Sequence, residues 1–211
     1  MTLVNQPLKK LKHWPWLPIA LVAYYLPWVW HPAAALTANA YDLAEWVSIH
    51  PAVRNGDPPL VAPFLLRAVL AGLALLCGLS AIRVQKWWVR WLYGALAVIL
   101  AITLLPPPDF FRGAGDDPNY RQQFGLAVGT FIVLTLFFGL RRRLARYSWL
   151  LEAIVVSAAL IAGCAGVVMA LRIIQSLGVA VTLGGGIVVL FVGLLPVLVA
   201  AANEWRSQAA A

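Results

Sequence analysis

The chain has 211 residues, of which 62% are hydrophobic and only 11% are charged, and its formal net charge is +8. A soluble domain is usually about half apolar and about a quarter charged, so this chain has too few charged side chains to cover a soluble fold of its size. The composition excludes a soluble enzyme, a disulfide-stapled secreted domain and a disordered tail, and it indicates a protein that is partly surrounded by lipid.

Uncharged runs along the sequence predict six membrane-spanning helices. A helix needs roughly 20 predominantly apolar residues to cross the hydrocarbon core of a bilayer. Six stretches without Asp, Glu, Lys or Arg place the spans at residues 14–30, 60–82, 88–105, 124–140, 149–171 and 179–202. The runs are apolar on every face, which favours an all-α bundle over a closed barrel. No loop is long enough for a second domain, so residues 1–211 are predicted to form a single membrane domain.

The first outer segment is predicted to contain a short amphipathic helix near residues 35–49. Its apolar residues recur at helical spacing, at Leu36, Ala40, Leu43 and Val47. We expect this helix to lie along the outer membrane interface. The second outer segment, residues 106–123, begins with three prolines and is expected to form an irregular loop.

The distribution of basic residues predicts the orientation of the bundle. Short cytoplasmic loops carry an excess of Lys and Arg. Most basic residues fall before the first span, between spans two and three, between spans four and five, and after the last span: Lys9, Lys10, Lys12, Arg83, Lys86, Arg90, Arg141, Arg142, Arg143, Arg146 and Arg206. This pattern predicts a protein of the plasma or inner membrane with both termini in the cytoplasm. Since topology accounts for the basic excess, no nucleic-acid partner is predicted.

The basic cluster Arg141, Arg142, Arg143 and Arg146 is predicted to contact lipid. It lies between the fourth and fifth predicted spans, on the side that the charge distribution assigns to the cytoplasm. Clusters of this kind attract anionic lipid head groups. We expect an orientation signal that touches lipid without specificity.

Arg67 and Glu152 are charged residues inside predicted spans. Arg67 is placed about two turns into the second span. We expect it to pair with Asp57 or Glu45 or to extend toward the outer interface, and contact with a substrate or partner is the alternative. Glu152 is placed one turn into the fifth span, where we expect an ion pair with Arg146 or a neighbouring basic residue, with a proton relay as the alternative.

Two histidines, His31 and His50, are weak candidates for cofactor ligands. Imidazole can ligate haem iron, chlorophyll magnesium or zinc. Both histidines precede prolines outside the span cores, and no metal-ligand spacing surrounds them. We therefore predict no metal site and no cofactor, and we expect both to be interfacial polar residues.

Small residues at four-residue spacing predict close helix contacts. Gly125 and Gly129 form such a pair in the fourth span. Gly163 and Gly166 in the fifth span each follow an alanine four residues earlier. This spacing lets membrane helices approach closely, so these glycines are predicted to pack inside the chain or against a partner subunit.

Sequence motifs of catalysis are missing from the chain. It contains no GxxxxGK[ST], HExxH or GxSxG pattern, and no predicted span core contains Asp or His. We therefore predict that the protein is not an enzyme. The favoured function is a non-catalytic accessory or scaffold subunit of a larger membrane complex, with a bioenergetic electron-transfer assembly as the expected setting. Its expected partners are other integral membrane subunits and membrane lipids.

Two other functions remain open at this point. A small permease, or a permease half that works as an oligomer, is suggested by Arg67, by the three glycines at residues 184–186 and by Pro196 in the last span. A membrane enzyme of unfamiliar type would use His50, Asp57 and Arg67 at the outer face.

Overall fold

The computed structural model describes residues 16–33, 37–56 and 59–209 of the chain. These residues form an all-α fold with one small two-stranded sheet. The α-helices are α1 (Trp16–Tyr25), α2 (Ala40–Ser48), α3 (Pro51–Arg54), α4 (Val61–Arg83), α5 (Trp87–Thr103), α6 (Pro118–Gly139), α7 (Arg141–Leu144), α8 (Ser148–Ser176) and α9 (Gly185–Ala209). Leu36, Asp57 and the three lysines at positions 9, 10 and 12, which the sequence analysis used, lie outside the described residues.

Four helices, α4, α6, α8 and α9, are long and apolar enough to cross a membrane. They have between 22 and 29 residues. At 1.5 Å per residue, these lengths cover a hydrocarbon core of about 30 Å. Helices α1 and α5 are also apolar but have only 10 and 17 residues. Four of the six predicted spans thus correspond to helices that could cross a membrane, as expected for a multi-pass helical membrane protein.

Helix α4 is the centre of the bundle. Its sequence is apolar on every face, and it packs against α8, α5, α6 and α2. Within its most apolar stretch 78% of the residues are buried, compared with 28% in α6. Two glycines allow this packing, because a Cβ atom at Gly72 would lie 3.1 Å from the Ala159 Cβ and one at Gly78 would lie 2.5 Å from a Leu134 methyl carbon.

The first helix ends earlier than predicted, and a small sheet follows it. Helix α1 ends at Tyr25 rather than near residue 30, because Pro27 has no backbone N–H to continue a helix. The next residues form strand β1 (Val29–Trp30), which pairs antiparallel with β2 (Thr182–Leu183). Strands of two residues carry no pattern that a sequence analysis can detect, and this pairing was not predicted.

The helix that was predicted near residues 35–49 begins later in the structure than in the prediction. It begins at Ala40, because Ala38 bridges to Val29 of the small sheet and Asn39 acts as the N-cap. The Asn39 side chain accepts a hydrogen bond from the Asp42 amide at 2.9 Å, which satisfies one free N–H of the first turn. The buried residues of α2 include the predicted apolar positions Ala40, Leu43 and Val47.

The second outer segment is more helical than predicted. Helix α6 begins at Pro118 rather than near residue 124, because Asp117 is a side-chain N-cap and proline suits the first helical position. A 3-10 turn at Pro108–Arg112 occupies part of the remaining loop. This earlier start places Asn119 and the two following glutamines, Gln122 and Gln123, on a helix that faces the bundle.

Glycines at the start of α9 let it pack against the loop after α1. The Gly184 amide donates to the Trp28 carbonyl and the Gly186 amide donates to the Pro27 carbonyl, both at 2.8 Å. A Cβ atom at either glycine would collide with this loop. The glycine run is therefore a point of close backbone approach.

Helix directions sort the polar residues into two ends of the bundle. The start of α4 lies beside α2 and the start of α6, where Arg67 contacts Glu45. The end of α4 lies beside the start of α8 and the end of α9, where Arg83 contacts Glu152. We call these the Arg67 end and the Arg83 end.

Candidate functional site

Arg67 is fully buried and forms the core of a polar network that joins three helices. Its Nη2 donates to the Glu45 Oε1 of α2 at 2.7 Å, and its Nη1 donates to the Asn119 Oδ1 of α6 at 2.7 Å. The pairing with Glu45 was one of the predicted alternatives and is confirmed. Pairing with Asp57 concerns a residue outside the described part of the chain. The planar guanidinium can bridge two acceptors in fixed directions, which a lysine cannot do.

Further polar side chains surround the Arg67 network. Tyr24 donates through its hydroxyl to the Leu66 carbonyl at 3.3 Å, and Gln123 donates through Nε2 to the Leu105 carbonyl at 3.3 Å. Burial raises the pKa of the Tyr41 hydroxyl, and the neighbouring Glu45 carboxylate raises it further. Tyr41 therefore stays protonated and neutral at physiological pH.

Two buried polar atoms beside this network, Arg67 Nε and Gln123 Oε1, have no hydrogen-bond partner among the described residues. The contacts of Arg67 join α2, α4 and α6. The guanidinium is held by a carboxylate and an amide, and Tyr41 cannot act as a base near neutral pH. The network therefore positions α2 and α6 on α4.

A second network lies at the Arg83 end. The Arg83 Nη1 donates to Glu152 Oε2 of α8 at 2.7 Å, and its Nη2 donates to Glu204 Oε2 of α9 at 2.6 Å. The Glu152 side chain is only 3% exposed. The expected ion pair of Glu152 is present, but its partner is Arg83 rather than Arg146 or another residue of the basic cluster. The guanidinium of Arg146 lies over the ring of Tyr147, 5.8 Å from its centroid.

Both networks include hydrogen-bonding groups that the sequence analysis did not identify. They are Asn119, Gln123, Arg83 in its ion-pairing role, and Glu204. Asn119 and Gln123 were assigned to a loop, since the start of α6 was placed too late. Arg83 was counted as an orientation signal. The sequence signal that could have predicted its ion pairs was its position at the end of an apolar run, because a charged side chain there needs a buried partner.

The two histidines serve as turn acceptors. His31 Nδ1 accepts from the Ala33 amide at 2.9 Å, and His50 Nδ1 accepts from the Ala52 amide at 3.2 Å and caps α3. Among the residues that the structure describes, no group of three or more His, Cys, Asp or Glu side chains is arranged to hold a metal ion. The structure thus brings neither histidine together with other ligands.

The predicted glycine contacts fall into two classes. Gly163 and Gly166 pack inside the chain, because Cβ atoms there would lie 3.3 Å from Trp28 and 3.0 Å from Leu66. Gly125 and Gly129 differ, since Cβ atoms at these positions would have no described heavy atom within 4 Å. Their small size is not used by packing within this part of the chain.

Gly125 and Gly129 line a groove between α4 and α6, which we call the α4–α6 groove. Its volume is about 400 Å³. Its lining is apolar apart from two polar side chains, and it consists of Phe64, Ala71, Leu75, Gln122, Gly125, Leu126, Gly129, Thr130 and Val133. The Gln122 Oε1 atom is shielded from solvent and has no hydrogen-bond partner among the described residues. The groove is thus an apolar surface with a buried acceptor.

The basic cluster lies at the Arg83 end, and its four members Arg141, Arg142, Arg143 and Arg146 are all exposed. They belong to α7 and the 3-10 turn that follows it. Two of them, Arg141 and Arg142, share a cavity with Arg90 of α5. The other two lie outside the lining of that cavity.

Compared with protein-family models, curated proteins and solved structures, the chain matches none of them.

Proposed function

We propose that the chain is a non-catalytic accessory subunit of a larger membrane complex, and that a transmembrane helix of a partner subunit docks in the α4–α6 groove. The observation that carries this proposal is the buried Gln122 Oε1 beside two open glycines. In lipid, a polar atom without a hydrogen-bond partner costs several kcal/mol, because no water is present to replace the bond.

The chemistry of the groove favours a protein helix over a lipid chain. An acyl chain offers no donor to Gln122, whereas a helix that carries Ser, Thr, Asn or Trp does. Gly125 and Gly129 are four residues apart on the exposed side of α6, and such a pair lets two backbones approach closely. We therefore expect the partner helix to run along α6 and to place a donor opposite Gln122.

Three features of the sequence suggested a permease, and the structure around each of them is also compatible with a subunit role. Gly184 and Gly186 pack against the loop after α1, so their small size serves packing. Arg67 is held by Glu45 and Asn119. Pro196 lies inside a helix that continues to Ala209. None of these contacts calls for a transported substrate.

We further propose that α1 and α5 also cross the membrane, giving six spans, with the Arg83 end in the cytoplasm. Among the described residues, the charged side chains of the Arg83 end are mostly basic, whereas the Arg67 end carries acidic and basic side chains in similar number. A single cysteine placed by Asp116→Cys in a cysteine-free variant tests this, since the Asp116 side chain is 97% exposed. We expect labelling from outside the cell; labelling from the cytoplasm alone would contradict the orientation.

The subunit proposal is tested by mild-detergent purification from the native membrane, with a photo-crosslinking residue at Leu126. The matched position is Ile132, which lies on the same helix, is 55% exposed and is outside the groove lining. We expect a membrane helix of a stoichiometric, larger subunit to crosslink at Leu126 and not at Ile132. A particle of this chain alone, a homo-oligomer, or crosslinks to lipid only would overturn the proposal.

Variants of the groove provide the second arm of the experiment. Gly125→Leu with Gly129→Leu fills the groove, while Gly139→Leu makes the same change on α6 where a Cβ also meets nothing within 4 Å. We expect the partner to be lost in the first variant and retained in the second. An absorption spectrum of the purified complex tests the expected electron-transfer setting, because redox carriers would then be held by the partner subunits.

A further inference from the structure

A cavity of about 300 Å³ opens at the Arg83 end of the bundle, between the ends of α4 and α6, helix α5 and the α7 segment. Three arginines line it, Arg90, Arg141 and Arg142, and none of its lining residues is acidic. The nearby carboxylates of Glu152 and Glu204 are held by Arg83. This concentration of positive charge is therefore not neutralised by the carboxylates that the structure places at this end.

The position of Arg90 is fixed by the backbone. Its Nε and Nη2 donate to the Val84 carbonyl at 3.3 and 3.0 Å, which holds the half-buried guanidinium against the end of α4. An arginine has five N–H donors in a rigid fork, so donors remain for a ligand. Arg141 and Arg142 are exposed on the facing segment and add two more forks that match the oxygens of a phosphate group.

The remaining walls of the cavity are apolar, and apart from Ala145 of the 3-10 turn they belong to α4 and α6. Ala81 and Ile82 come from the last turn of α4, and Phe138 comes from the end of α6. A ligand that fills the cavity must therefore present an anionic group to the arginines and hydrocarbon to these side chains. Basic pockets between membrane helices on the cytoplasmic side bind lipid head groups in this way.

We propose that this cavity binds the phosphate of an anionic phospholipid, with Arg90, Arg141 and Arg142 as its ligands. The lipid class is that of phosphatidylglycerol or cardiolipin, whose phosphates contact the arginines while an acyl chain lies against Ile82 and Phe138. The proposal divides the basic cluster, because Arg143 and Arg146 take no part. It does not depend on the partner-helix proposal.

The test is native mass spectrometry of the purified full-length chain titrated with phosphatidylglycerol and with phosphatidylcholine. The pocket variant is Arg90→Gln/Arg141→Gln/Arg142→Gln. The control is Arg143→Gln/Arg146→Gln/Arg206→Gln, which removes the same charge from exposed positions at the same end. We expect the pocket variant to lose affinity for phosphatidylglycerol by about tenfold or more, since charge-assisted hydrogen bonds are removed, and the control to change by less than about twofold.

Two variants keep the test decisive if loss of the Arg90–Val84 contact impairs folding. Arg141→Gln/Arg142→Gln and Arg143→Gln/Arg146→Gln both leave Arg90 in place, and only the first pair should weaken binding. Equal losses in both pairs, or equal affinity for the two lipids, would show nonspecific attraction and overturn the proposal. Complete displacement of phosphatidylglycerol by inorganic phosphate would also overturn it, because the site would then recognise a soluble anion without its acyl chain.

Discussion

Removal of the Arg67 guanidinium should destabilise the whole bundle, because this fully buried group joins α2, α4 and α6. In Arg67→Ala, the Glu45 carboxylate and the Asn119 amide each lose a partner at 2.7 Å. Breaking a buried ion pair by removal of one partner costs about 3–5 kcal/mol. The Glu45 side chain is 40% exposed, so water replaces part of the interaction, and we expect a loss near the lower limit, about 3 kcal/mol.

The assay is thermal unfolding of the purified chain in detergent, followed by tryptophan fluorescence. A loss of about 3 kcal/mol corresponds to a fall of about 6–12 °C in Tm for a chain of this size. Arg112→Ala is the control, because it removes an exposed arginine at the same end and should change stability by less than about 0.5 kcal/mol. Arg67→Lys keeps the charge but lacks the planar fork, so its Tm should be intermediate. Equal Tm values for Arg67→Ala and Arg112→Ala would refute the reasoning.

Three further predictions use the same unfolding assay. Arg83→Ala leaves the buried Glu152 carboxylate without its guanidinium and should cost about 3–5 kcal/mol; a loss below that of Arg67→Ala would contradict the burial argument. Partial burial raises the pKa of the Asp117 carboxyl, but its hydrogen bonds outweigh this effect and leave the pKa lowered. The contribution of the carboxylate to the free energy of unfolding should therefore be complete above about pH 5 and be lost as the pH falls below about 4. Asp117→Asn should remove this acid sensitivity, and an unchanged fall of Tm at acid pH in this variant would contradict the prediction. Gly193→Ala places a Cβ 2.7 Å from the α1 backbone and should cost about 1–3 kcal/mol, whereas Gly139→Ala should not destabilise.

The pKa of Asp117 has opposing causes, and the sign of the acid prediction depends on their balance. Partial burial alone would raise the pKa. The hydrogen bond from Arg54 Nη2 at 2.9 Å and the one from the Asn119 amide at 2.8 Å stabilise the charged carboxylate more strongly. The folded state therefore binds its proton less readily than the unfolded chain, and stability rises with pH through this range.

The membrane character and the long helices were predictable from the sequence because they depend on local hydrophobicity. An apolar run of sufficient length specifies a span without reference to any other part of the chain. The buried face of α2 followed from spacing in the same way. The pairing of Arg67 with Glu45 was predictable as one alternative, because a buried guanidinium needs a nearby carboxylate and few are present.

The partners of Arg83 were not predictable, because they depend on how distant helices pack. Glu152 and Glu204 are 69 and 121 residues away along the chain. Local spacing suggested the basic residue nearest to Glu152, but the end of α4 brings Arg83 closer in space. Asn119 was missed for a different reason: the Asp117 cap starts α6 within a segment that three prolines marked as a loop.

The glycines show the same division between local and tertiary information. A small residue four positions away marked all four glycines, yet Gly163 and Gly166 pack inside the chain while Gly125 and Gly129 line an open groove. Spacing specifies which face of a helix carries small residues. Only the arrangement of neighbouring helices determines whether that face is covered. Contact with a partner therefore stays a prediction for the open pair.

The Arg67 network and a glycine contact hold α6 against α4 on either side of the α4–α6 groove. Asn119 ties the start of α6 to Arg67, and Leu134 packs onto Gly78 near the other end. Between these two points Gln123, Ala127 and Thr130 of α6 are buried, while Gly125 and Gly129 line the open groove beside them. The groove is therefore present in the chain alone, and the proposed partner helix would lose little free energy to reorganisation on docking.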